Sequence, residues 1–494
     1  MKKRNTFYKK FNIKEGEIIK EYFNNLNNKI SLTKKETIKI NEDFEKAIDY
    51  YLKQGKNLKE TLKILSIDNL GDIYQKEPEN WYPLDNAAKI YPLSMRENWM
   101  SVYRLSCYLK EDIVPEIFQI ALLFTMKRFP TFRTSIRKGF FWHYIDGIKK
   151  RFHVYEDKKL PCSYINVSNI GKQSFKAVYY KNRISIEYFH ILADGTSATI
   201  FLSTLVATYL KLLGKEISTN DTVLDINEKP KEAESKDEFK DKTPNVKSQS
   251  LIEGKAVQID GKRSNVRPCQ ILHFDIDLKD IKELSKNKDA TITEIILSLL
   301  FISISYSTSK EGLIKIQVPV NMRKYYPSKT LRNFSLYVTI NIPREEITDL
   351  DSVLIEVKRQ LHEKNNIDNL NGILEYTNKL IKYLRFIPLF IKKPVAKIIY
   401  GYAGDKSFTT VLSNLGNVNL PDNMQKEVEK MDFVLGTTIT NKLLFSIITC
   451  NNILTLSISK YTLNTSVENN LYNLLVQNNI KVKVYGSENY DNKK

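Results

Sequence analysis

Along residues 174–189 apolar and polar positions alternate with a period of two on both sides of Lys181-Asn182. Ile184, Ile186 and Tyr188 share one face, with Tyr179 and Tyr180 across the turn, so the pattern predicts a tight hairpin with Asn182 at positive φ. From residue 197 the period changes. Ile200, Phe201, Thr204, Leu205, Thr208 and Leu212 follow helical spacing, and Leu202, Val206 and Leu210 widen the stripe, which predicts a buried helix over 197–213. His190, Asp194 and Gly195 stand between strand and helix, where a rigid sheet can aim a side chain into a cleft. Gly195 is expected to supply backbone freedom at that turn.

The rest of the chain divides by the same reading. Phe44, Ala47, Ile48, Tyr51 and Leu52 mark an amphipathic helix ending near Gly55, and Leu58, Leu62 and Leu65 begin another. Residues 1–77 are therefore a helical extension with little core of its own, expected to dock on the main body or on a partner. A strand over 100–109, a helix over 113–128 and a strand from Phe129 to Arg137 follow. Residues 214–264 are rich in Glu, Lys, Asp, Ser and Pro, too polar to fold alone, and read as a crossover between two lobes. A strand from Ile271 to Ile276 opens the second lobe. Thr291-Ile-Thr-Glu294 is a capping box before an apolar helix to about Tyr306. The strand Ile314–Val320 runs into Asn321-Met322-Arg323, and Leu331-Arg332-Asn333-Phe334 leads into a strand to Ile342. Residues 370–400 mix apolar and basic side chains, broken by Pro388 and Pro394. Channel or core packing is the preferred reading there, and membrane contact the lesser one. Thr409–Pro421 reads as a strand and turn containing Ser413-Asn414-Leu415-Gly416. Residues 432–484 read as a strand, a hairpin through Asn451-Asn452, a helix and a last strand.

The fold class is thus α/β of the α+β kind: two lobes with mostly antiparallel sheets, over 78–213 and 265–485, with residues 486–494 as a tail. The length of 494 residues fits two lobes and an appendage. The net charge of +19 favours anionic partners such as coenzyme A, a carrier protein, a lipid surface or nucleic acid. The basic residues are spread out and no recognition motif accompanies them, so nucleic acid is not the expected partner. Cys107, Cys162, Cys269 and Cys450 are far apart and lack a histidine cluster, which indicates neither a disulfide framework nor a zinc site. The basic start has no apolar run behind it, and no stretch reaches the ~18 apolar residues of a membrane span, so a cytoplasmic setting is expected. His143 and His153 sit in aromatic, strand-like stretches and read as structural. His362 reads as exposed on a polar helix face.

His190-Ile-Leu-Ala-Asp194-Gly195, placed between strand and helix, resembles the active-site motif of the chloramphenicol-acetyltransferase and condensation-domain superfamily. A core histidine followed by a helix N-cap is the plainer reading of those six residues. Trp81-Tyr-Pro-Leu-Asp-Asn-Ala-Ala-Lys-Ile-Tyr-Pro92 resembles the opening of bacterial alcohol-acetyltransferase-like proteins. Asn321-x-Arg323 with Asn333 downstream resembles the second-lobe motif, and Ser413-Asn414-x-Gly416 the segment across the channel. The resemblance spans about residues 79–485. It implies an acyl group moved from a thioester to a hydroxyl or amine, with His190 as the catalytic base and Asp194 gripped in two-pronged fashion by Arg323. It further implies Gly195 at the turn, and Asn333, Ser413 and Asn414 as substrate or oxyanion contacts. No metal and no tightly bound cofactor are implied. Acyl-CoA would be the co-substrate, a small-molecule alcohol the acceptor, and an acyl carrier protein an alternative source of the thioester.

Two departures narrow the resemblance. Phe189 stands where condensation domains usually carry a first histidine, which favours the O-acyltransferase branch, and the Asp-Phe-Gly-Trp-Gly motif of the plant enzymes is missing. A binding module that kept the fold without catalysis is a further alternative. The acceptor, the acyl length and the oligomeric state are not legible in the residues.

Overall fold

A computed structural model describes residues 7–76, 81–86, 88–89, 91–94, 101–163, 165, 173–242, 246–248, 254–266, 269–399, 405–436 and 441–486. The expected tail beyond Gly486, the basic start at residues 1–6, and Ala87 and Ile90 of the aromatic opening lie outside these residues.

Three amphipathic helices come first: α1 (Ile13–Asn28), α2 (Lys34–Lys53) and α3 (Leu58–Ile64). Asn12, Thr33 and Asn57 cap them by accepting from amides in the first turn, which satisfies donors a helix start leaves open. This extension shares one apolar core with the first lobe. Phe44 packs on Phe124 with ring centroids 6.2 Å apart, and Arg151 holds Asp43 with two bonds of 2.6 and 2.7 Å. The Tyr51 hydroxyl donates to the Leu212 carbonyl at 2.7 Å.

The first lobe contains β1 (Trp81–Pro83), α4 (Tyr91–Ser94), β2 (Val102–Leu109), α5 (Pro115–Thr125), β3 (Thr134–Lys138), β4 (His143–Gly147), β5 (Val154–Glu156), β6 (Phe175–Tyr180), β7 (Arg183–Phe189) and α6 (Gly195–Leu212). Phe129–Phe132 is not extended as expected; Pro130 starts a 3-10 turn, and the strand begins only at Thr134. The second lobe follows with β8 (Gln270–Asp277), α7 (Leu278–Asn287), α8 (Ile292–Ser305), β9 (Leu313–Asn321), β10 (Ser335–Pro343), α9 (Leu350–Lys364), α10 (Ile367–Leu384), α11 (Leu389–Ile399), β11 (Thr410–Asn417), β12 (Val428–Leu435), β13 (Leu443–Cys450), β14 (Ile453–Lys460), α12 (Ser466–Gln477) and β15 (Val482–Gly486).

Three sheets result, in the orders β1-β4-β3, β12-β2-β7-β6-β5 and β10-β9-β11-β13-β14-β8-β15. Most pairings are antiparallel; β5 with β6 and β11 with both β9 and β13 are parallel. The lobe boundary read from sequence needs correction at β12. This strand lies far beyond residue 265, yet it pairs with β2 of the first sheet, where Met431 and Phe433 join the first core. Its alternation marks a strand, but alternation does not name a partner.

The polar crossover is pinned rather than merely solvated. Glu234 receives two bonds from buried Arg128, at 2.5 and 2.7 Å. The carbonyls of Glu234 and Lys236 accept from the Leu331 amide and the Thr330 hydroxyl, each at 2.7 Å, so the crossover braces the loop that carries Asn333. In the basic stretch, Leu370, Ile373 and Leu374 join the second core and Ile381 and Leu389 are buried, in keeping with core packing, but Tyr383, Phe386 and Phe390 face solvent, which corrects that expectation for these three.

Candidate active site between the lobes

The β6–β7 hairpin forms as the period-two pattern predicts, with a correction at its turn. Positive φ falls at Lys181 (47°), while Asn182 uses its amide to donate to the Leu109 carbonyl at 2.6 Å and so ties the turn to β2. The His190 amide extends the ladder by donating to the Ser101 carbonyl at 2.9 Å. The Tyr103 hydroxyl donates to the Ala193 carbonyl at 2.8 Å and holds the following turn.

The His190 ring is packed on two sides. Tyr91 stacks on it with centroids 4.6 Å apart, and Tyr103 meets it edge-on at 5.0 Å. Its Nδ1 lies 3.1 Å from Oδ1 of Asn333. The other end of the Asn333 amide donates to Oδ2 of Asp85 at 3.2 Å and to the Ile191 carbonyl at 3.5 Å. Both of those partners are acceptors, so this end is the NH2 and the end facing His190 is the oxygen. Nδ1 therefore carries the proton and Nε2 keeps its lone pair. Burial lowers the pKa of the imidazole, against weaker opposing pulls from its own carbonyl, the Asp194 charge and the Asn333 bond.

Asp194 is the N-cap of α6, accepting from the Ser197 amide at 3.0 Å. Its Oδ2 accepts from Arg323 at 2.6 Å and from the Phe334 amide at 2.8 Å. Burial pushes this carboxyl up, but the Arg323 charge and these bonds outweigh it and hold the pKa below the usual range. The N-cap and ion-pair readings thus describe one side chain. The guanidinium does not grip the carboxylate with two prongs. Nη1 takes Asp194, and Nη2 donates to Ser197 Oγ (3.0 Å) and to the carbonyls of Thr330 (2.8 Å) and Arg332 (2.9 Å). One arginine ties the turn, the helix start and the second-lobe loop together.

Gly195 is needed for a different reason than expected. It is not among the glycines at positive φ. A Cβ there would lie 2.3 Å from Cδ2 of Leu415, so glycine permits β11 to approach the start of α6. Ser413 is buried on β11 and pairs in register with Ser446, and the strand's register shifts just beyond Asn414. Asn414 donates to Thr293 Oγ1 at 2.9 Å and accepts from the Gly416 amide at 2.7 Å, so both ends of its amide are engaged within the second lobe. The structure thus gathers His190, Asp194, Gly195, Arg323 and Asn333. Asn333 faces the histidine rather than a substrate, and Asn414 points away.

Sequence reasoning missed Asp85 and Tyr91, although both lie in the aromatic opening. Asp85 is buried, receives the Ala88 amide at 2.7 Å and lies 3.9 Å from Arg332. Burial, opposed by Arg332, pushes its carboxyl up to about 6. His143 is buried, His153 half-buried and His362 exposed, and none of them contacts this cluster among the described residues.

Known proteins share this fold. Residues 239–478 match the family model described as alcohol acetyltransferase. The trichothecene 15-O-acetyltransferase of Fusarium sporotrichioides superposes with a TM-score of 0.53 at 13% identity, covering 81% of this chain and 94% of that one. The chain has the fold of the chloramphenicol-acetyltransferase and condensation-domain proteins. The F. sporotrichioides TRI101 protein complexed with coenzyme A and T-2 gives a TM-score of 0.54 at 12% identity, over 82% of this chain and all of that one. The starter condensation domain of rhizomide synthetase gives 0.54 at 10% identity, over 81% and 94%. An uncharacterized Schizosaccharomyces pombe protein is 24% identical over 172 residues, which covers 32% of this chain and 35% of its own length, so the match spans about a third of that relative. Among the described residues, no helix is long and apolar enough to cross a membrane.

Proposed function

We propose that the protein transfers an acyl group, an acetyl group in the simplest case, from a coenzyme A thioester to an alcohol hydroxyl, with His190 as general base. The observation that carries this reading is the Asn333 bond to Nδ1 of His190, which leaves a neutral, basic Nε2 at the junction of the lobes. Nε2 takes the hydroxyl proton as the oxygen attacks the thioester carbon. The tetrahedral oxyanion needs a donor, and two are at hand. The Gly195 amide opens α6, where backbone N–H groups have no acceptor within the helix, and the Ser413 hydroxyl is on β11, two residues from the Leu415 that packs against Gly195. As the intermediate collapses, the C–S bond breaks and the thiolate takes the proton back from Nε2. Asp194 and Arg323 hold the turn and do not relay a proton.

The alcohol-acetyltransferase match and the coenzyme A bound to a structural neighbour support this donor and acceptor. The test is thiol release from acetyl-CoA with a panel of alcohols, for the wild-type chain and His190→Ala. Alcohol-dependent release should vanish in the folded variant, and release that survives the substitution sinks the mechanism. A parallel arm with acyl groups on a carrier protein separates the two thioester sources, since the phosphopantetheine end is common to both.

A further inference from the structure

The β3–β4 turn, the last turns of α10 and the outer side of α11 form one exposed apolar surface. Tyr383 is 78% exposed, Phe386 and Phe390 are each 71% exposed and Phe140 is 66% exposed, with Ile391, Val395 and Phe141 beside them in sequence and also exposed. Isolated apolar residues are ordinary on a protein surface, but a contiguous cluster of large ones marks a contact site. The cluster rests on a fixed frame. The Leu389 amide donates to the Phe140 carbonyl at 2.8 Å, and Lys392 Nζ donates to the Phe141 carbonyl at 2.7 Å while lying 3.3 Å from the Trp142 ring centroid. Ile381 and Leu389 anchor the helices from beneath.

The charges exposed among these side chains are mostly basic. Lys379, Lys382 and Arg385 lie on the last turns of α10 and its C-cap, with Lys379 paired to Glu375 at 3.4 Å, and no acidic residue occurs from Tyr376 to Ile399. Lys379, Lys382 and Arg385 are exposed among the apolar side chains, and so is Lys138 beside the turn. We propose that this face docks on the surface of an anionic lipid membrane. Aromatic side chains settle at headgroup depth while flanking cations meet lipid phosphates. An acidic protein would satisfy the cations but leave the phenyl rings in water unless it brought an apolar groove; an anionic bilayer takes both. α11 also packs on α4, whose Tyr91 stacks on His190, so the docked face lies one helix away from the histidine.

The test is flotation of the full chain with vesicles of phosphatidylglycerol and phosphatidylcholine, and with phosphatidylcholine alone. The wild-type chain should float with the anionic vesicles and less so as salt is raised. Phe386→Ser with Phe390→Ser should weaken binding at least tenfold. Lys382→Ser with Arg385→Ser should remove the preference for anionic lipid. These side chains are exposed, so circular dichroism and melting temperature should match the wild type. The proposal is overturned if the wild-type chain stays out of the anionic vesicle fraction, or if the double phenylalanine variant floats as well as the wild type. It is equally overturned if an acidic acyl carrier protein binds through these residues while vesicles do not.

Discussion

Asn333→Ala should lower turnover by about 5- to 150-fold in a protein that still folds. The substitution removes the acceptor 3.1 Å from Nδ1 of His190, in a place where Asn333 is 2% exposed and water does not readily replace it. Leaving a buried donor unmet costs roughly 1–3 kcal/mol, and that energy now selects the tautomer with Nε2 free. At ~1.4 kcal/mol per factor of ten, its loss moves the tautomer ratio by about 5- to 150-fold. The assay is thiol release under saturating alcohol, with kcat and KM separated. A positioning role lowers kcat and leaves KM near its wild-type value, whereas a substrate contact would raise KM. The pH profile adds a second readout. Burial holds the His190 pKa below its ordinary value, so the wild-type acid limb should lie below pH 6.5. Asn333→Asp places a carboxylate against Nδ1, stabilises the imidazolium and should move that limb upward. A kcat within twofold of wild type in folded Asn333→Ala, or an Asn333→Asp profile that overlies the wild type, refutes the reasoning.

Gly195→Ala should destabilise the fold by at most about 1 kcal/mol, because the overlap is with the tip of the Leu415 side chain, which can turn aside, and Leu415→Ala should recover that loss in the double variant. Thermal melts of the three variants check it, and no recovery would mean that the overlap is not the cause. Asp194→Ala removes the α6 cap and strands the Arg323 charge, so a loss of about 3–5 kcal/mol is expected in denaturant unfolding. For Asp85 the folded carboxyl is raised to about 6 from its ordinary value of 3.8, so ionising it weighs against the fold above pH 6 and that penalty is gone below 3.8. Going from pH 4 to pH 8, the stability of Asp85→Asn relative to wild type should therefore improve, by up to about 3 kcal/mol. A pH-independent difference between the two melts would contradict the burial argument.

The elements legible in the sequence were those whose periodicity is local. The hairpin ending at His190, the helix after it and the Thr291–Glu294 capping box all follow from residues within a few positions of one another, and all are present. What stayed hidden depends on who meets whom. Gly195 was read as a conformational residue because the strand that crowds it comes more than two hundred residues later. Asn333 was read as a contact for substrate because its role is set by two distant acceptors that orient its amide. Asp85 sat in a stretch already singled out, yet nothing local distinguishes a turn aspartate from one that steers an asparagine onto a histidine. The aromatic face of α10 and α11 looked like core because composition cannot tell which side of a helix is covered.

The crossing of β12 into the first sheet has a consequence for how the molecule can move. Between Val428 and Leu435 this strand is zipped to β2, while β11 before it and β13 after it belong to the second-lobe sheet. Swinging the lobes apart would require unzipping that ladder and exposing Met431, Phe433 and Val434 to water. The two halves are clasped like hands with one finger interlaced, and reactants must therefore slip in along the seam through small local shifts. Separately expressed halves should fare poorly for the same reason, since the first would have an open strand edge and the second an orphaned strand.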